Sequence, residues 1–259
     1  MSRIIDLNCD VGESYGVYRV GNDEALMPLI TSANIACGYH AGDPVVMDRT
    51  VRLAARHGVG IGAHPGFPDL LGFGRRRMHL APDEIENYVL YQVGALAAFA
   101  RSVGAELAHV KPHGALYNMA AKDIEMARAI VRGVARVDPN LIVVGLAGAA
   151  LVEAAREAGM RVASEGFADR AYNSDGTLRS RRLPGAVIEE PELAAERAVR
   201  IVRDGTVVAY TGEEIPLHVD TLCVHGDTPT AVEIVRTMRR KLEEAGIEVA
   251  TLGSFVGRG

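Results

Sequence analysis

The sequence predicts an α/β fold: a parallel sheet closed, or nearly closed, into a single-domain (β/α) barrel of about seven strands. Three observations predict it. Short apolar runs of strand length alternate strictly with amphipathic helical segments. No linker-like or low-complexity stretch interrupts the alternation, so residues 1–259 read as one domain. Strand after strand also ends in ionisable residues just before a helix begins, and that is the face where such folds place their chemistry. An open doubly wound sheet is the rival arrangement.

Composition narrows the classes. With 48% hydrophobic residues the chain has ample core for its length. A formal net charge of −5 argues against nucleic acid as a partner. No apolar run reaches membrane-spanning length and no leader-like segment follows Met1, so a cytoplasmic protein is expected, with no membrane partner. Cys9, Cys37 and Cys223 are widely spaced without a CxxC, which fits reduced core thiols. Lysine occurs only as Lys111, Lys122 and Lys241.

The first strand is expected over Ile4–Asp10, with Leu7, Cys9 and Val11 on one face and Asn8 and Asp10 on the other. It runs into Gly12-Glu13, and a helix is expected over Asp23–Ile30. Ser32–Cys37 reads as the second strand, ending in Gly38-Tyr39-His40-Ala41-Gly42-Asp43. Asp43-Pro44 then starts a helix to His57. The third strand, Val59–Ala63, ends in His64-Pro65-Gly66; a loop, Phe67–His79, precedes a helix from Pro82 to about Val103.

The fourth strand carries His109, Lys111 and His113 at alternate positions, all facing one way. Pro112 cannot donate to a ladder and ends it. A lysine sharing a face with two histidines is costly in an apolar core, which points to a polar pocket. Asp123–Val137 is a helix, Leu141–Leu146 the fifth strand, and Ala149–Ala158 a helix closed by Gly159. Arg161–Glu165 is the sixth strand, ending in Glu165-Gly166-Phe167-Ala168-Asp169-Arg170. A polar loop, Ala171–Glu190, leads to a helix over Pro191–Arg203, and Thr206–Val219 makes a short excursion. Thr221–Val224 is the seventh strand, ending in His225-Gly226-Asp227-Thr228-Pro229. A helix over Thr230–Ala245 and a short strand over Glu248–Leu252 complete the chain.

The strand ends thus gather Asp10, Glu13, His40, Asp43, His64, Lys111, His113, Glu165, Asp169, His225 and Asp227 on one rim. Asp10, His64 and His113 are candidate ligands for a divalent metal, magnesium or zinc/manganese; the plainer alternative is histidines that only hydrogen-bond to neighbours. Lys111 is suited to stabilise an oxyanion or a phosphoryl group, or to act as a base. Its plainer role is an ion pair with Asp10 or Glu165. Asp10, Glu13, Glu165 and Asp227 are candidate proton carriers, although Asp43 and Asp227 also read as helix caps. The catalytic candidates are therefore Asp10, Lys111, His113, Glu165 and His225; Asn8, His40, Arg170 and Asp227 are the candidate substrate contacts. Cys223 shares parity with His225 and would sit under the site. Neither GxxxxGK[ST] nor GxGxxG is present, and no GxSxG supports an acyl-enzyme. Arg75-Arg76-Arg77 is able to hold phosphate oxygens but reads rather as a solvated run, and Arg170, Arg179, Arg181 and Arg182 read as a lid or partner surface.

Taken together these phrases resemble the LamB/YcsF family. The resemblance rests on Asp6-Leu7-Asn8-Cys9-Asp10 with Gly12-Glu13, Asn34-Ile35-Ala36-Cys37-Gly38 with His40-Ala41-Gly42-Asp43-Pro44, and Gly62-Ala63-His64-Pro65-Gly66 with Gly72-Phe73-Gly74-Arg75-Arg76. It continues through His109 to Asn118, Glu165 to Arg170 and Val224 to Pro229, and so spans nearly the whole chain. It implies an irregular barrel like those of the NodB-type deacetylases and related glycoside hydrolases. It also implies the A component of an ATP-dependent 5-oxoprolinase, opening 5-oxo-L-proline to L-glutamate with ATP as co-substrate and subunits B and C as partners. Two other readings compete: a stand-alone metal-dependent deacetylase or amidohydrolase, and a non-catalytic substrate-binding subunit.

Overall fold

Alternation decides what the first strand, β1 (Arg3–Val11), must do. Ile5, Leu7, Cys9 and Val11 are buried and apolar, while Asp6 and Asn8 between them are buried and polar. One face must therefore meet helices, and the other needs hydrogen-bonding neighbours. The structure, a computed structural model, describes residues 3–180, 182–224 and 230–257. The candidates His225 and Asp227, and Arg181 of the polar loop, lie outside the described residues.

The strands that follow are β2 (Ser32–Ala36), β3 (Gly60–His64), β4 (Leu107–Val110), β5 (Ile142–Leu146), β6 (Arg161–Phe167), β7 (Thr206–Val208), β8 (Glu214–Pro216), β9 (Thr221–Val224) and β10 (Ile247–Val249). β1 to β6 pair in sequence, β6 pairs β9, and β9 returns to β1, every pairing parallel. The sheet is thus a closed barrel, not the open alternative. It is irregular at the seam, where Arg3–Ile5 of β1 pair with β10 and Asp6–Cys9 pair with β9. β7 and β8 form an antiparallel pair apart from the barrel sheet.

The helices are α1 (Asp23–Leu26), α2 (Pro44–His57), α3 (Pro82–Ser102), α4 (Gly114–Ala120), α5 (Ile124–Val137), α6 (Ala150–Glu157), α7 (Pro191–Asp204), α8 (Ala231–Glu244) and α9 (Leu252–Phe255). Helical periodicity supplies their inward faces; in α5, Met126, Ile130, Val131 and Val134 are buried. The main apolar core lies between helices and strands and takes the odd positions of β1. No helix among the described residues is long and apolar enough to cross a membrane.

Three local expectations are corrected. The helix expected over 23–30 is α1 followed by a 3-10 turn, Met27–Leu29, with Pro28 inside the turn. The fourth strand stops at Val110, so Lys111 and His113 lie beyond it and His113 leads into α4 rather than continuing the strand's alternation. The last strand begins earlier, at Ile247, and ends before α9, whose Leu252 packs on Ile142, Val144 and Ala163.

Inside the barrel, Gly62 pairs with Asn34 on β2 and with His109 on β4. A Cβ there would overlap the His109 imidazole. Gly62→Ala relieves the backbone entropy of glycine but forces that ring off Asn34. The clash outweighs the gain, and a net destabilisation of about 1–3 kcal/mol is expected in urea denaturation. An unchanged midpoint would show that the ring can swing aside without loss.

Candidate functional site

The even positions of β1 form a polar column inside the barrel. Asp6 accepts from Ser32 Oγ at 2.6 Å, Thr31 Oγ1 at 2.7 Å and Thr221 Oγ1 at 2.5 Å. Burial pushes its carboxyl up to about 6, against the lowering pull of the three hydroxyls. Above it, Asn8 Nδ2 donates to Thr221 Oγ1 at 2.7 Å. Asn34 Nδ2 donates to Asn8 Oδ1 at 2.7 Å and to Asp10 Oδ1 at 2.9 Å. Asn34 Oδ1 accepts from His109 Nε2 at 2.8 Å. Because Asn34 uses its amide nitrogen on the carboxylate, its oxygen fixes the proton of His109 on Nε2. Burial holds that imidazole down to about 3, so it is a neutral prop.

Lys111 stands on this column, 3% exposed. Its Nζ lies 2.8 Å from Glu165 Oε1, 3.1 Å from Asp10 Oδ1, 3.1 Å from Asn8 Oδ1 and 3.0 Å from Cys223 Sγ. Burial alone would lower the ammonium's pKa; the Asp10 carboxylate and the Cys223 and Glu165 groups outweigh it and hold it well above the ordinary lysine value. Lys111 is therefore a fixed positive charge, suited to stabilise an oxyanion and unsuited to act as a base. Burial keeps the Cys223 thiol protonated, so it does not compete as a nucleophile. Glu165 takes a further hydrogen bond from Tyr117 Oη at 2.6 Å. The ion-pair reading and the catalytic reading of Lys111 are compatible, since the pair is what makes a buried ammonium tolerable.

A second group of side chains sits beside the first. His64 donates Nδ1–H to the Lys111 carbonyl at 2.6 Å, and its Nε2 faces Asp10 Oδ2 at 3.3 Å. His113, at the N-terminus of α4, donates Nε2–H to the Phe73 carbonyl at 2.8 Å. Its Nδ1 lies 3.0 Å from His64 Nε2 and 3.5 Å from Glu13 Oε1. His40 stacks on His113 with ring centroids 3.7 Å apart, and its Nε2 is 3.2 Å from Glu13 Oε1. Burial, then His64, holds His113 down to about 3; burial and the two neighbouring imidazoles hold His40 well below its ordinary value. Phe73 carries a positive φ of 54°, so the loop carbonyl that orients His113 is held in a strained backbone. One nitrogen from each of these histidines and one oxygen of Glu13 lie within 4.8 Å of one another, a set of donors able to hold a metal ion.

Asp10, Asn8, His40, His64, Lys111, His113 and Glu165 therefore converge. Asp10 touches both groups, one oxygen toward Lys111 and the other toward His64. Glu13 and His40 stand with His64 and His113 in the metal-capable set, positions that the expected Asp10, His64, His113 triad did not include. Arg170 is buried with Nε on the Ala186 carbonyl at 3.2 Å and an Nη on the Arg179 carbonyl at 2.7 Å, so these donors hold the polar loop. Asp43 caps α2, accepting from Val45 and Val46 at 2.8 and 3.0 Å, and its second oxygen accepts from Gly16 at 2.7 Å. Arg76 pairs with Asp69 rather than facing the pocket. Asn34 and Tyr117 were not singled out from sequence. Tyr117 follows His113 by one helical turn, a signal that needed α4 to be recognised.

Comparison with known proteins agrees with this architecture. The family model described as the LamB/YcsF family matches residues 5–257. A chain from Pyrococcus furiosus, named as the A component of 5-oxoprolinase, is 59% identical over 252 residues, covering 97% of this chain and 99% of its own. A chain of the same name from Methylococcus capsulatus is 57% identical, with 99% and 98% covered. The solved structure of a lactam utilization protein from Thermus thermophilus superposes with a TM-score of 0.92 at 52% identity, covering 96% of this chain and 99% of that one. A T48 deacetylase, 14% identical, shares the fold with a TM-score of 0.52. The chain belongs to the LamB/YcsF family.

Proposed function

We propose that this chain is the A component of a 5-oxoprolinase, opening the five-membered lactam of 5-oxo-L-proline to L-glutamate with ATP as co-substrate. The observation that carries the reading is the 59% identity, over 97% of the chain, to a relative bearing that name. The site chemistry agrees with it. An unstrained lactam is a poor electrophile because amide resonance stabilises its carbonyl. Transfer of the γ-phosphoryl group to the carbonyl oxygen releases ADP and leaves an imidate ester. Water adds to its carbon, the C–N bond breaks with the amine leaving protonated, and the resulting acyl phosphate is hydrolysed by a second water. The products balance as glutamate, ADP and phosphate.

In this scheme Lys111 stabilises charge on the carbonyl oxygen and the phosphoryl group. Asp10, partly exposed beside the buried ammonium, takes the proton of the attacking water. Glu165 and Tyr117 hold Lys111 in place. Magnesium enters with the nucleotide. The B and C subunits are the natural partners of a chain whose relatives are named as one component of an assembly.

The test is reconstitution from purified subunits with one component withheld at a time. Glutamate and phosphate are expected in equal amounts only when this chain, both partners and ATP are present. Glutamate formed by this chain alone, without ATP, would replace the reading with a stand-alone amidohydrolase. Full turnover without this chain would leave it a dispensable binding subunit.

A further inference from the structure

Two bare nitrogens face each other beside Lys111. A backbone carbonyl can only accept, so the contacts at Lys111 O and Phe73 O place protons on His64 Nδ1 and His113 Nε2. With one proton on each ring so placed, the opposite nitrogens, His64 Nε2 and His113 Nδ1, carry lone pairs, and they stand 3.0 Å apart. Carboxylate oxygens close the same space, Asp10 Oδ2 at 3.3 Å from the first nitrogen and Glu13 Oε1 at 3.5 Å from the second. His40 Nε2 meets the same Glu13 oxygen at 3.2 Å. Two imidazole lone pairs 3.0 Å apart repel unless a cation lies between them. A proton would satisfy the 3.0 Å pair of nitrogens alone. Glu13 Oε1 meets both His40 Nε2 and His113 Nδ1, so a third imidazole and a carboxylate border the same space.

We propose that Glu13, His40, His64 and His113 form a resident binding site for a divalent transition-metal ion of the zinc or manganese type. The donor set is imidazole-rich with one carboxylate, which suits those ions better than magnesium, a cation that prefers oxygen. The backbone carbonyls on the far nitrogens of His64 and His113 are the outer partners that metal-bound imidazoles require. All four side chains are buried, so the site is pre-formed rather than assembled from solvated groups. A bound ion would supply Lewis-acid polarisation of a carbonyl or phosphoryl oxygen next to Asp10. The proposal does not depend on which lactam, or whether any lactam, is the substrate.

The full-length chain, stripped with chelator and dialysed, is titrated with zinc and separately with cobalt(II). One ion per chain is expected by calorimetry and elemental analysis. Cobalt is expected to give the visible bands of a low-coordinate nitrogen and oxygen site, and the melting temperature is expected to rise with zinc. Glu13→Gln and His113→Gln should each weaken zinc by about 100-fold or more, past the loss typical of changing an outer partner. Circular dichroism separates lost folding from lost binding. If one variant does not fold, the other and the cobalt spectrum of the unaltered chain still decide. A chain that retains no ion and leaves the cobalt spectrum aqueous overturns the proposal, and so does binding undiminished in the folded variants.

Discussion

Lys111→Met is expected to lower glutamate formation in the reconstituted complex by about 100- to 1000-fold, the usual loss when a preorganised charge on a developing oxyanion is removed. It is also expected to weaken the fold. Lys111 Nζ lies 2.8 Å from Glu165 Oε1 and 3.1 Å from Asp10 Oδ1, and Glu165 is completely buried. Methionine fills the volume of the stem but leaves two carboxylates without their cation. Removing one partner of a buried pair typically costs about 3–5 kcal/mol. Two features moderate the loss here: Tyr117 still donates to Glu165, and Asn34 still donates to Asp10. The stability cost therefore belongs at the lower end of that range, read from the urea midpoint. Near-normal turnover in a folded Lys111→Met complex would remove Lys111 from the mechanism altogether.

Much of this arrangement was legible in the sequence because period-two patterning leaves few choices. Once Leu7 and Cys9 face the helices, Asn8 and Asp10 must face the barrel interior, and the structure places them there. The same parity put His109 and Lys111 on one inner face, although the strand stops at Val110 and His113 arrives through the turn into α4. The resemblance to a known family carried what parity could not, namely the reaction. What stayed hidden has physical causes. Asn34 and Tyr117 are neutral, so a search for ionisable groups passes over them, yet they set the orientation of His109 and Glu165. Glu13 and His40 reach the imidazole group through irregular loops, and His40 lies between Gly38 and Gly42, both at positive φ. Only the folded backbone shows where such a loop aims its side chain. Arg170 follows the end of β6, and its guanidinium donates to the carbonyls of Ala186 and Arg179. Carbonyl partners of this kind, set by the fold of the polar loop, carry no signal in the sequence.

Asp10→Asn separates chemistry from architecture more cleanly than the lysine change. The amide keeps the shape of the carboxylate. Its oxygen can still accept from Lys111 and Asn34, as Asp10 Oδ1 does at 3.1 and 2.9 Å. Its nitrogen would then stand where Oδ2 now lies, 3.3 Å from His64 Nε2. That ring nitrogen is already engaged at 3.0 Å with His113 Nδ1, so the amide places a neutral group beside it without taking over its contact. The substitution removes one negative charge from beside His64 without adding bulk, and Glu165 still balances the ammonium. Stability is expected to stay within about 1 kcal/mol of the parent. Turnover behaves differently, because an amide cannot take a proton from the attacking water. A fall of about 100- to 10,000-fold in kcat is expected, the range typical of a general base, with KM for 5-oxoproline little changed. The contrast between the variants is the stronger test: Lys111→Met should lose both stability and turnover, and Asp10→Asn turnover alone. A folded Asp10→Asn complex with a near-normal kcat would move the water-activating role away from Asp10. Glu165, fully buried and held by Lys111 and Tyr117, would be a poor substitute. Among the described residues, the next candidate base would be Glu13, the carboxylate on the imidazole side of the pocket.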